Sequence, residues 1–377
     1  MKRSLKKLFS ASRENIESRI AIQTELYSDK DAFDAEVECI IRPNWVNVAR
    51  VSQLSEIGDY ISTSIFGQKV LVLKGSDGEI RAVAPVCLHR STLLLEGSGN
   101  CNSIVCPIHR WEYDLAGNLI EKNSSDTAEQ KERPCLTRYK VEIWCGWVFV
   151  NLDGDAVPMR ESHFTLARQL EPWDIESLVP LCEPIKFEGR FNWKILCDNV
   201  GDPSHIIGVH ATSLPALPHS AFRFESDQES YSLSKIPQPV RVDVREFGEF
   251  SFNRLPPGFS GTHMYHVFPL LFIGLTADFV VWQFLEVLDE HSCKMELHVL
   301  GREGVLSSSK FEKEIDYFRA SIQEIEQEDQ LAYALMHEGM KHKSSKAGIL
   351  TDLEEGSLVW QRWYLNSMSK GSVKIAS

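Results

Sequence analysis

Two short cysteine–histidine pairs constrain this chain more than any other feature. Cys87 and His89 lie two residues apart, and Cys106 and His109 lie three apart. Each pair offers one thiolate and one imidazole from a short segment, so the two pairs together predict a metal site. Four ligands of this kind suit either a zinc ion or a [2Fe–2S] cluster in which two histidines replace two cysteines on one iron.

The order of the ligands favours the cluster over zinc. Zinc sites more often place Cys with Cys and His with His in sequence. A cluster with both histidines on one iron needs one residue of each type from both segments, which is the pattern here. Zinc remains an alternative at this point, because the ligand types are the same, and four unrelated core residues remain a third interpretation.

Composition limits the classes of function. The chain has 377 residues, 43% of them apolar, which is enough for two domains with substantial cores. A net charge of −13 argues against nucleic-acid or anionic-membrane binding through a general electrostatic field, and no apolar run is long enough to span a bilayer. Nine scattered cysteines without a secretory signal predict free thiols in a reducing, cytoplasmic compartment.

Changes in composition and hydrophobic periodicity along the sequence predict where the domains begin and end. Residues 1–44 carry mixed charge and helical periodicity, and we expect them to pack on the second domain. Short β-like runs follow, with a hairpin turn at Ser76-Asp77-Gly78, and predict a small antiparallel domain over residues 45–155. Polar residues 121–134 are interpreted as an exposed loop within it. The turn-rich segment 153–158 then leads into a second domain, residues 156–377.

The second domain combines a predicted sheet with a long helix. Strand-like runs near 241–253, 262–275, 278–288 and 292–302 predict one sizeable antiparallel sheet. A helix follows from Ser308. The fold class is therefore predicted as α+β.

A second candidate metal site lies in the run DNVGDPSHIIGVH, residues 198–210. It offers Asp198, Asp202, His205 and His210. Two histidines five apart point roughly 140° apart on an ideal helix, so they converge only if the helix is distorted or ends between them, which Gly208 favours. On this segment alone, two unrelated histidines remain an equally good interpretation.

The helix after Ser308 supplies a third ligand. Asp329 falls on its predicted apolar stripe, where a carboxylate is costly unless it is paired or binds a cation. Glu324, Glu326 and Glu328 fall off the stripe and are interpreted as solvated. Two histidines and one carboxylate form the facial triad of non-haem Fe(II) oxygenases, so His205, His210 and Asp329 are the predicted iron ligands; a salt bridge at Asp329 is the alternative. The stripe comprises Phe311, Ile315, Phe318, Ile322, Ile325, Ala332 and Met336.

These motifs together resemble a known family. Arg90 and the run Cys-Pro-x-His-x-Trp over residues 106–111 resemble the Rieske signature, and Asp202-x-x-His205-x₄-His210 stands in the same chain. The chain is similar, over nearly its whole length, to the α subunit of Rieske non-haem iron, ring-hydroxylating type oxygenases. The choline monooxygenase and glycine betaine oxygenase branch is the most similar. Arg110 departs from the pattern, because the family more often has Gly or Ala there.

The resemblance implies a fold and a reaction. The fold is a small antiparallel β Rieske domain plus a catalytic domain with a large antiparallel sheet and a long C-terminal helix, of the helix-grip, START-like type. A [2Fe–2S] cluster on the two Cys/His pairs takes electrons from a ferredoxin or flavin reductase, which uses NAD(P)H. The mononuclear Fe(II) activates O₂ to hydroxylate or N-/O-demethylate a small organic substrate, a quaternary amine or a small aromatic or heterocycle. An electron-transfer protein without oxygenase activity is the alternative.

The resemblance also implies assembly and two further site residues. Family members form homotrimers in which an acidic residue joins a Rieske histidine of one subunit to an iron histidine of the next, and Asp202 matches it. A helix-start carboxylate is the competing interpretation, since Asp202-Pro203 resembles an N-cap followed by proline. Asn199 matches a polar residue near the iron in relatives.

Overall fold

The computed structural model describes residues 2–121, 134–214, 218–237, 251–252 and 254–376. The chain divides into two compact units, Arg42–Met159 and a larger unit made of Met1–Ile41 with Arg160–Ser377. The N-terminal segment therefore belongs to the same unit as the second half of the chain. No helix in the described residues is both long and apolar enough to cross a membrane.

The smaller unit consists of antiparallel strands. A seven-stranded sheet has the order β1-β10-β9-β4-β3-β2-β5, and β6-β7-β8 form a separate three-stranded sheet. Of the predicted exposed loop 121–134, residues 122–133 lie outside the described residues. The strands are β1 (Val46–Arg50), β2 (Asp59–Ile65), β3 (Gln68–Lys74), β4 (Ile80–Val83), β5 (Ser98–Asn100), β6 (Ile104–Val105), β7 (Glu112–Tyr113), β8 (Leu119–Glu121), β9 (Arg138–Trp144) and β10 (Trp147–Asn151).

Tight turns set the register of this unit. The predicted hairpin at Ser76-Asp77-Gly78 is confirmed: β3 pairs with β4, and Gly78 has φ +85°. Between β9 and β10, Cys145 and Gly146 both have positive φ, 50° and 76°. A two-residue turn in which both residues have positive φ has a twist that matches the twist of the flanking strands, so it closes a tight hairpin. All five residues of β10 are buried, and the strand lies between β1 and β9 in the sheet.

The larger unit is built on an eight-stranded antiparallel sheet, which confirms the predicted α+β class. Its order is β11-β18-β17-β16-β15-β14-β13, and β12 also pairs with β18. Most of the predicted strand near 241–253 lies outside the described residues, and 251–252 are not in a strand. The strands are β11 (Val179–Pro180), β12 (Ile185–Gly189), β13 (Arg223–Ser226), β14 (Tyr231–Ile236), β15 (Thr262–Val267), β16 (Leu271–Leu275), β17 (Val280–Asp289) and β18 (Ser292–Gly301).

Helices complete the larger unit, and the chain ends in two long ones. The helix predicted from Ser308 begins three residues later, at Phe311. The helices are α1 (Arg3–Glu17), α2 (Lys30–Glu36), α3 (Met159–Ser162), α4 (Phe164–Leu170), α5 (Trp193–Val200), α6 (His205–Gly208), α7 (Phe311–Met340) and α8 (Glu355–Ala376).

The buried face of α7 differs from the predicted stripe in its second half. Phe311 and Ile315 are buried as expected, but Met336 is 39% exposed. The residues buried beyond Ile325 are Glu326, Asp329, Tyr333 and His337. The sequence prediction is therefore wrong for Met336 and for Glu326, because the neighbours of α7 change along its length and the extrapolated stripe does not follow them.

Asp198 on α5 ties this helix to α8. Its carboxylate accepts hydrogen bonds from Trp360 Nε1 (2.7 Å), Gln361 Nε2 (2.7 Å) and the Tyr27 hydroxyl (2.5 Å). Burial raises the pKa of Asp198 to about 6 in spite of these donors. Asp198 is therefore a structural anchor, and not a metal ligand candidate as its place in the sequence run suggested.

Two glycines let the end of α5 touch the start of α8. A Cβ on Gly201 would lie 2.4 Å from the backbone nitrogen of Ser357, and a Cβ on Gly356 would lie 2.6 Å from the Cα of Gly201. No side chain fits at such distances, so both positions require glycine. The contact fixes where the chain leaves α5 on its way to His205.

A buried ion pair joins the N-terminal segment to α5. Lys194 and Glu36 are fully buried, and Lys194 Nζ lies 2.8 Å from Glu36 Oε1. Glu36 also accepts hydrogen bonds from Trp193 Nε1 (3.0 Å) and the Tyr364 hydroxyl (2.6 Å). The N-terminal segment, α5 and α8 therefore share one polar network inside the core.

Breaking this pair should be costly. Lys194→Met leaves the Glu36 carboxylate buried without a cation, and we expect a loss of about 3–5 kcal/mol in the free energy of unfolding. Denaturant unfolding measures it. Lys30→Met, which breaks the exposed pair Lys30–Asp34, is the control and should change little. Equal stability of the two variants would show that the buried pair does not hold the segment in place.

Candidate metal centres

The two Cys/His segments of the smaller unit form loops of the same construction. In the first, the N–H of Cys87 donates to the carbonyl of Thr92, and the N–H of Ser91 donates to the carbonyl of Cys87. In the second, Cys106 N–H donates to Trp111 and Arg110 N–H to Cys106. The hydrogen bonds span five and four residues in both loops. Two equivalent loops thus present one sulfur and one imidazole each.

The loops place sulfur inside and imidazole outside. Cys87 and Cys106 are both 1% exposed and belong to the core of the unit, whereas His89 is exposed and His109 half-buried. The two imidazole rings lie 4.6 Å apart between centroids, and His89 stacks on Trp111 at 4.8 Å. This separation of donors fits a two-iron cluster that has both sulfurs on one iron and both imidazoles on the other.

The sulfur atoms lie among hydrogen-bond donors. Burial alone would raise the pKa of Cys106, but the backbone N–H groups of Ile108 and His109 outweigh it and lower the pKa. The Tyr113 hydroxyl lies 3.3 Å from Cys87 Sγ and accepts the N–H of Leu88. Donors around a thiolate stabilise its charge, as a metal-bound sulfur requires. The sequence analysis assigned no role to Tyr113, although it lies only two residues after Trp111 of the second loop.

Arg110 occupies a position that favours glycine. Its φ is +60°, and Ser91 at the equivalent position of the first loop has φ +54°. The left-handed region costs an L-residue with a long side chain roughly 1 kcal/mol. A glycine would adopt this conformation without that cost.

The second site gathers the three residues predicted as iron ligands. Nε2 of His210 lies 3.3 Å and Nε2 of His205 lies 3.8 Å from Oδ1 of Asp329. Within the part of the chain that the structure describes, this is the one set of three His, Cys, Asp or Glu whose donor atoms all lie within 4.8 Å of one another.

The end of α6 brings the two histidines together. The helix runs only from His205 to Gly208, and the chain turns before His210. The two rings lie 5.3 Å apart between centroids. The sequence left open whether the helix is distorted or ends between the histidines, and the structure shows that it ends there.

Hydrogen bonds at Nδ1 orient both imidazoles. His205 Nδ1 donates to the backbone carbonyl of Asp202, and His210 Nδ1 donates to Glu328 Oε2 at 2.8 Å. With Nδ1 protonated, the Nε2 lone pair of each ring points at the carboxylate of Asp329. Such bonds are the usual way in which a protein fixes the tautomer of a metal-binding histidine.

The structure corrects the interpretation of Glu328 as a solvated residue. Besides His210, its carboxylate accepts hydrogen bonds from Thr212 Oγ1 (3.0 Å) and Ser213 Oγ (2.5 Å). Burial would raise the pKa of Glu328, but these donors outweigh burial and lower it. The sequence held a clue, because Glu328 directly precedes a candidate ligand, yet periodicity alone could not identify its partner on a distant segment.

The site attracts positive charge. Burial would lower the pKa of His210, but the adjacent carboxylates of Asp329 and Glu328 outweigh burial and raise the pKa. Burial also raises the pKa of Glu326 to about 8, with the charge of Asp329 adding to the effect. The neighbouring carboxylates of Glu328 and Asp329 therefore favour a cation, whereas Glu326 with its raised pKa adds little charge at pH 7. The donor set, two imidazole nitrogens and one carboxylate oxygen, fits Fe(II).

Asn199 and Asp202 lie beside the triad. Asn199 Nδ2 is 3.4 Å from both His205 Nε2 and Asp329 Oδ1, and 3.0 Å from the Tyr333 hydroxyl. Asp202 Oδ1 accepts the backbone N–H of Ser204 at 2.8 Å, but the N-cap of α6 is Ser204, so the interpretation of Asp202-Pro203 as N-cap and first helical residue is wrong. Asp202 is only half-buried.

Two family profiles match separate parts of this chain. Residues 44–137 match the profile of the Rieske [2Fe–2S] domain. Residues 181–370, half of the chain, match that of the ring hydroxylating alpha subunit (catalytic domain).

Individual relatives and a solved structure agree with these matches. The carnitine monooxygenase oxygenase subunit of Acinetobacter pittii is 32% identical over 193 residues, 49% of this chain and 51% of the relative. The glycine betaine monooxygenase oxygenase subunit of Pseudomonas aeruginosa is 26% identical over 193 residues, which are 51% of this chain and 45% of the relative. The chain thus spans about half the length of the curated relatives it matches.

A quaternary ammonium Rieske monooxygenase, whose structure was described in terms of carnitine oxidation and inter-subunit electron transfer, is 21% identical. It superposes with a TM-score of 0.77 over 93% of this chain and 96% of its own. At this identity the likeness establishes the fold.

The role of Glu328 can be tested through metal affinity. Glu328→Gln removes the charge that holds His210 Nδ1, and we expect the affinity for Fe(II) to fall about tenfold or more. Competitive titration with a chelator measures it. Glu324→Gln, an exposed change on the same helix, is the control. Affinities that agree between these two variants would show that Glu328 does not orient the ligand.

Proposed function

Because this chain belongs to the ring-hydroxylating alpha subunit family, we propose that it is the oxygenase component of a Rieske non-haem iron oxygenase. The observation that carries this proposal is the convergence of His205 Nε2, His210 Nε2 and Asp329 Oδ1 on one another. An electron-transfer protein with a Rieske cluster alone would not need this second set of ligands. The alternative function is therefore the weaker one.

The proposed residues divide into two sets. Cys87, His89, Cys106 and His109 hold the [2Fe–2S] cluster, and His205, His210 and Asp329 hold the Fe(II). The cluster supplies single electrons, and the iron supplies the site at which O₂ is reduced beside the substrate. The protein contributes a fixed tautomer for each histidine, donors to the sulfurs and a buried carboxylate. In the proposed domain division, residues 45–155 carry the first set and 156–377 the second, with 1–44 packed on the latter.

A quaternary amine is the proposed substrate class. Two relatives are named for carnitine and glycine betaine, both of which carry a trimethylammonium group. We therefore expect hydroxylation or N-demethylation of such a compound, with electrons from a ferredoxin or flavin reductase that oxidises NAD(P)H. The absence of a membrane-spanning helix among the described residues is compatible with the cytoplasmic location that we propose.

Asp202 supports a proposal of head-to-tail homotrimers. Its backbone carbonyl accepts the Nδ1–H of His205, and its Oδ1 accepts the backbone N–H of Ser204. The remaining oxygen, Oδ2, has no partner among the described residues. It could accept a hydrogen bond from a Rieske histidine of a second subunit, which would join the two metal sites through a single residue.

The oxygenase function is tested by removing the iron ligand. Asp329→Ala should abolish oxidation of carnitine or glycine betaine, because one of three donors is lost, while the visible spectrum of the cluster stays unchanged. Substrate-dependent O₂ uptake with a supplied reductase measures activity. Oxidation that survives at the parent rate would overturn the iron assignment. A colourless protein with stoichiometric zinc would overturn the cluster.

The role of Asp202 is tested by its amide variant. Asp202→Asn should leave both metals bound but slow the arrival of electrons at the mononuclear iron, since an amide is a weaker acceptor than a carboxylate. Single-turnover kinetics after pre-reduction of the cluster measure this step. Asp227→Asn, a change at a turn carboxylate of the same unit, serves as the control. Parent-like kinetics in Asp202→Asn would remove Asp202 from the electron path.

A further inference from the structure

The amide of Asn199 lies against the ligand atoms of the triad. Its Nδ2 is 3.4 Å from His205 Nε2 and 3.4 Å from Asp329 Oδ1. These are two of the three atoms that would bind Fe(II) in the proposed function, on which the following inference rests. An N–H group that donates to the lone pairs of metal ligands competes with the metal for them.

Binding of a cation must therefore change the orientation of this amide. The positive N–H edge cannot remain directed at the same lone pairs when a divalent cation takes them. A half-turn about the last side-chain torsion of Asn199 exchanges Oδ1 and Nδ2 with little change in shape. The carbonyl oxygen then faces the cation, which is the electrostatically favourable arrangement.

Tyr333 is the residue that can hold the amide in both orientations. Its hydroxyl lies 3.0 Å from Asn199 Nδ2, the shortest of the three contacts of that atom. A hydroxyl accepts from N–H and donates to C=O equally well, so the same group satisfies the amide before and after the half-turn. Neither a carboxylate nor an ammonium group could do both.

The surroundings of Tyr333 hold this hydroxyl in place. Tyr333 is 1% exposed, and its ring packs on Phe191 at 4.9 Å between centroids. It lies four residues after Asp329 on α7, and therefore on the same face of the helix as this ligand. The ring cannot move without disturbing the core, so its hydroxyl is a fixed reference point one turn from the site.

We propose that Tyr333 is a positioning residue that controls the orientation of the Asn199 amide, so that the amide oxygen faces the metal when the triad is loaded. The tyrosine acts through Asn199 and does not itself bind the metal. Its loss should weaken metal binding and alter the environment of the bound ion, with no effect on the cluster.

The test uses Co²⁺ as the probe for the mononuclear site. Tyr333→Phe keeps the ring and removes only the hydroxyl. We expect the Co²⁺ affinity of the full chain to fall about tenfold and the visible d–d absorption of bound Co²⁺ to change. Tyr265→Phe is the matched control, because Tyr265 is also buried in the larger unit, with its hydroxyl 3.4 Å from Gln169. Thermal unfolding of the metal-free proteins shows that each variant is folded.

A double-mutant cycle separates positioning from general structure. If Tyr333 acts through Asn199, then Tyr333→Phe should have no further effect on Co²⁺ affinity or absorption in an Asn199→Ala background. An equal effect in both backgrounds would overturn the proposal, and so would parent-like affinity and absorption in Tyr333→Phe alone. These readouts need no substrate, so their failure is distinguishable from a failure of the proposed oxygenase activity, which O₂ uptake reports.

Discussion

The choice between the two nitrogens of an imidazole governs the second metal site. A histidine can bind a metal through either nitrogen, and in this protein both Nδ1 atoms already form hydrogen bonds. His205 Nδ1 donates to the Asp202 carbonyl, and His210 Nδ1 donates to Glu328, so Nε2 of each ring is left for a metal. Glu328 and Asp329 are neighbours on α7, so adjacent carboxylates perform different tasks, one directed at the proposed metal and one at its ligand. The rest of the larger unit serves to bring α6 and α7 close enough for this division.

The sequence was sufficient to predict which three residues converge at the second site but insufficient for the residues that support them. Asp329 was found because a carboxylate interrupted an apolar stripe, and the distorted helix at Gly208 followed from the spacing of His205 and His210. Glu328, Tyr333 and Glu326 were missed because their partners lie more than 40 residues away in the sequence. Helical periodicity identifies a buried face only while the helix packs against one surface, and α7 does not.

Long-range polar contacts explain the remaining difference between prediction and structure. The helical character of the N-terminal segment was visible in its periodicity, but its buried pair with Lys194 links positions 158 residues apart. Asp198 looked like a metal ligand by its place among acids and histidines, whereas its neighbours Trp360 and Gln361 make it an anchor. Residue type alone does not distinguish a carboxylate that binds a cation from one that binds indole and amide groups.

Backbone hydrogen bonds close the two cysteine–histidine loops in the same way, and this closure should lower the reorganisation energy of electron transfer at a cluster bound there. A centre that gains and loses single electrons changes charge each time, and the rate depends on how far the surrounding dipoles must move in response. Here the backbone amides beside Cys106 are fixed by hydrogen bonds that close each loop, and residues 91 and 110 hold their left-handed conformations within them. Dipoles fixed in advance need little rearrangement. The conformational cost of Arg110 is then met once, during folding, instead of at every electron transfer.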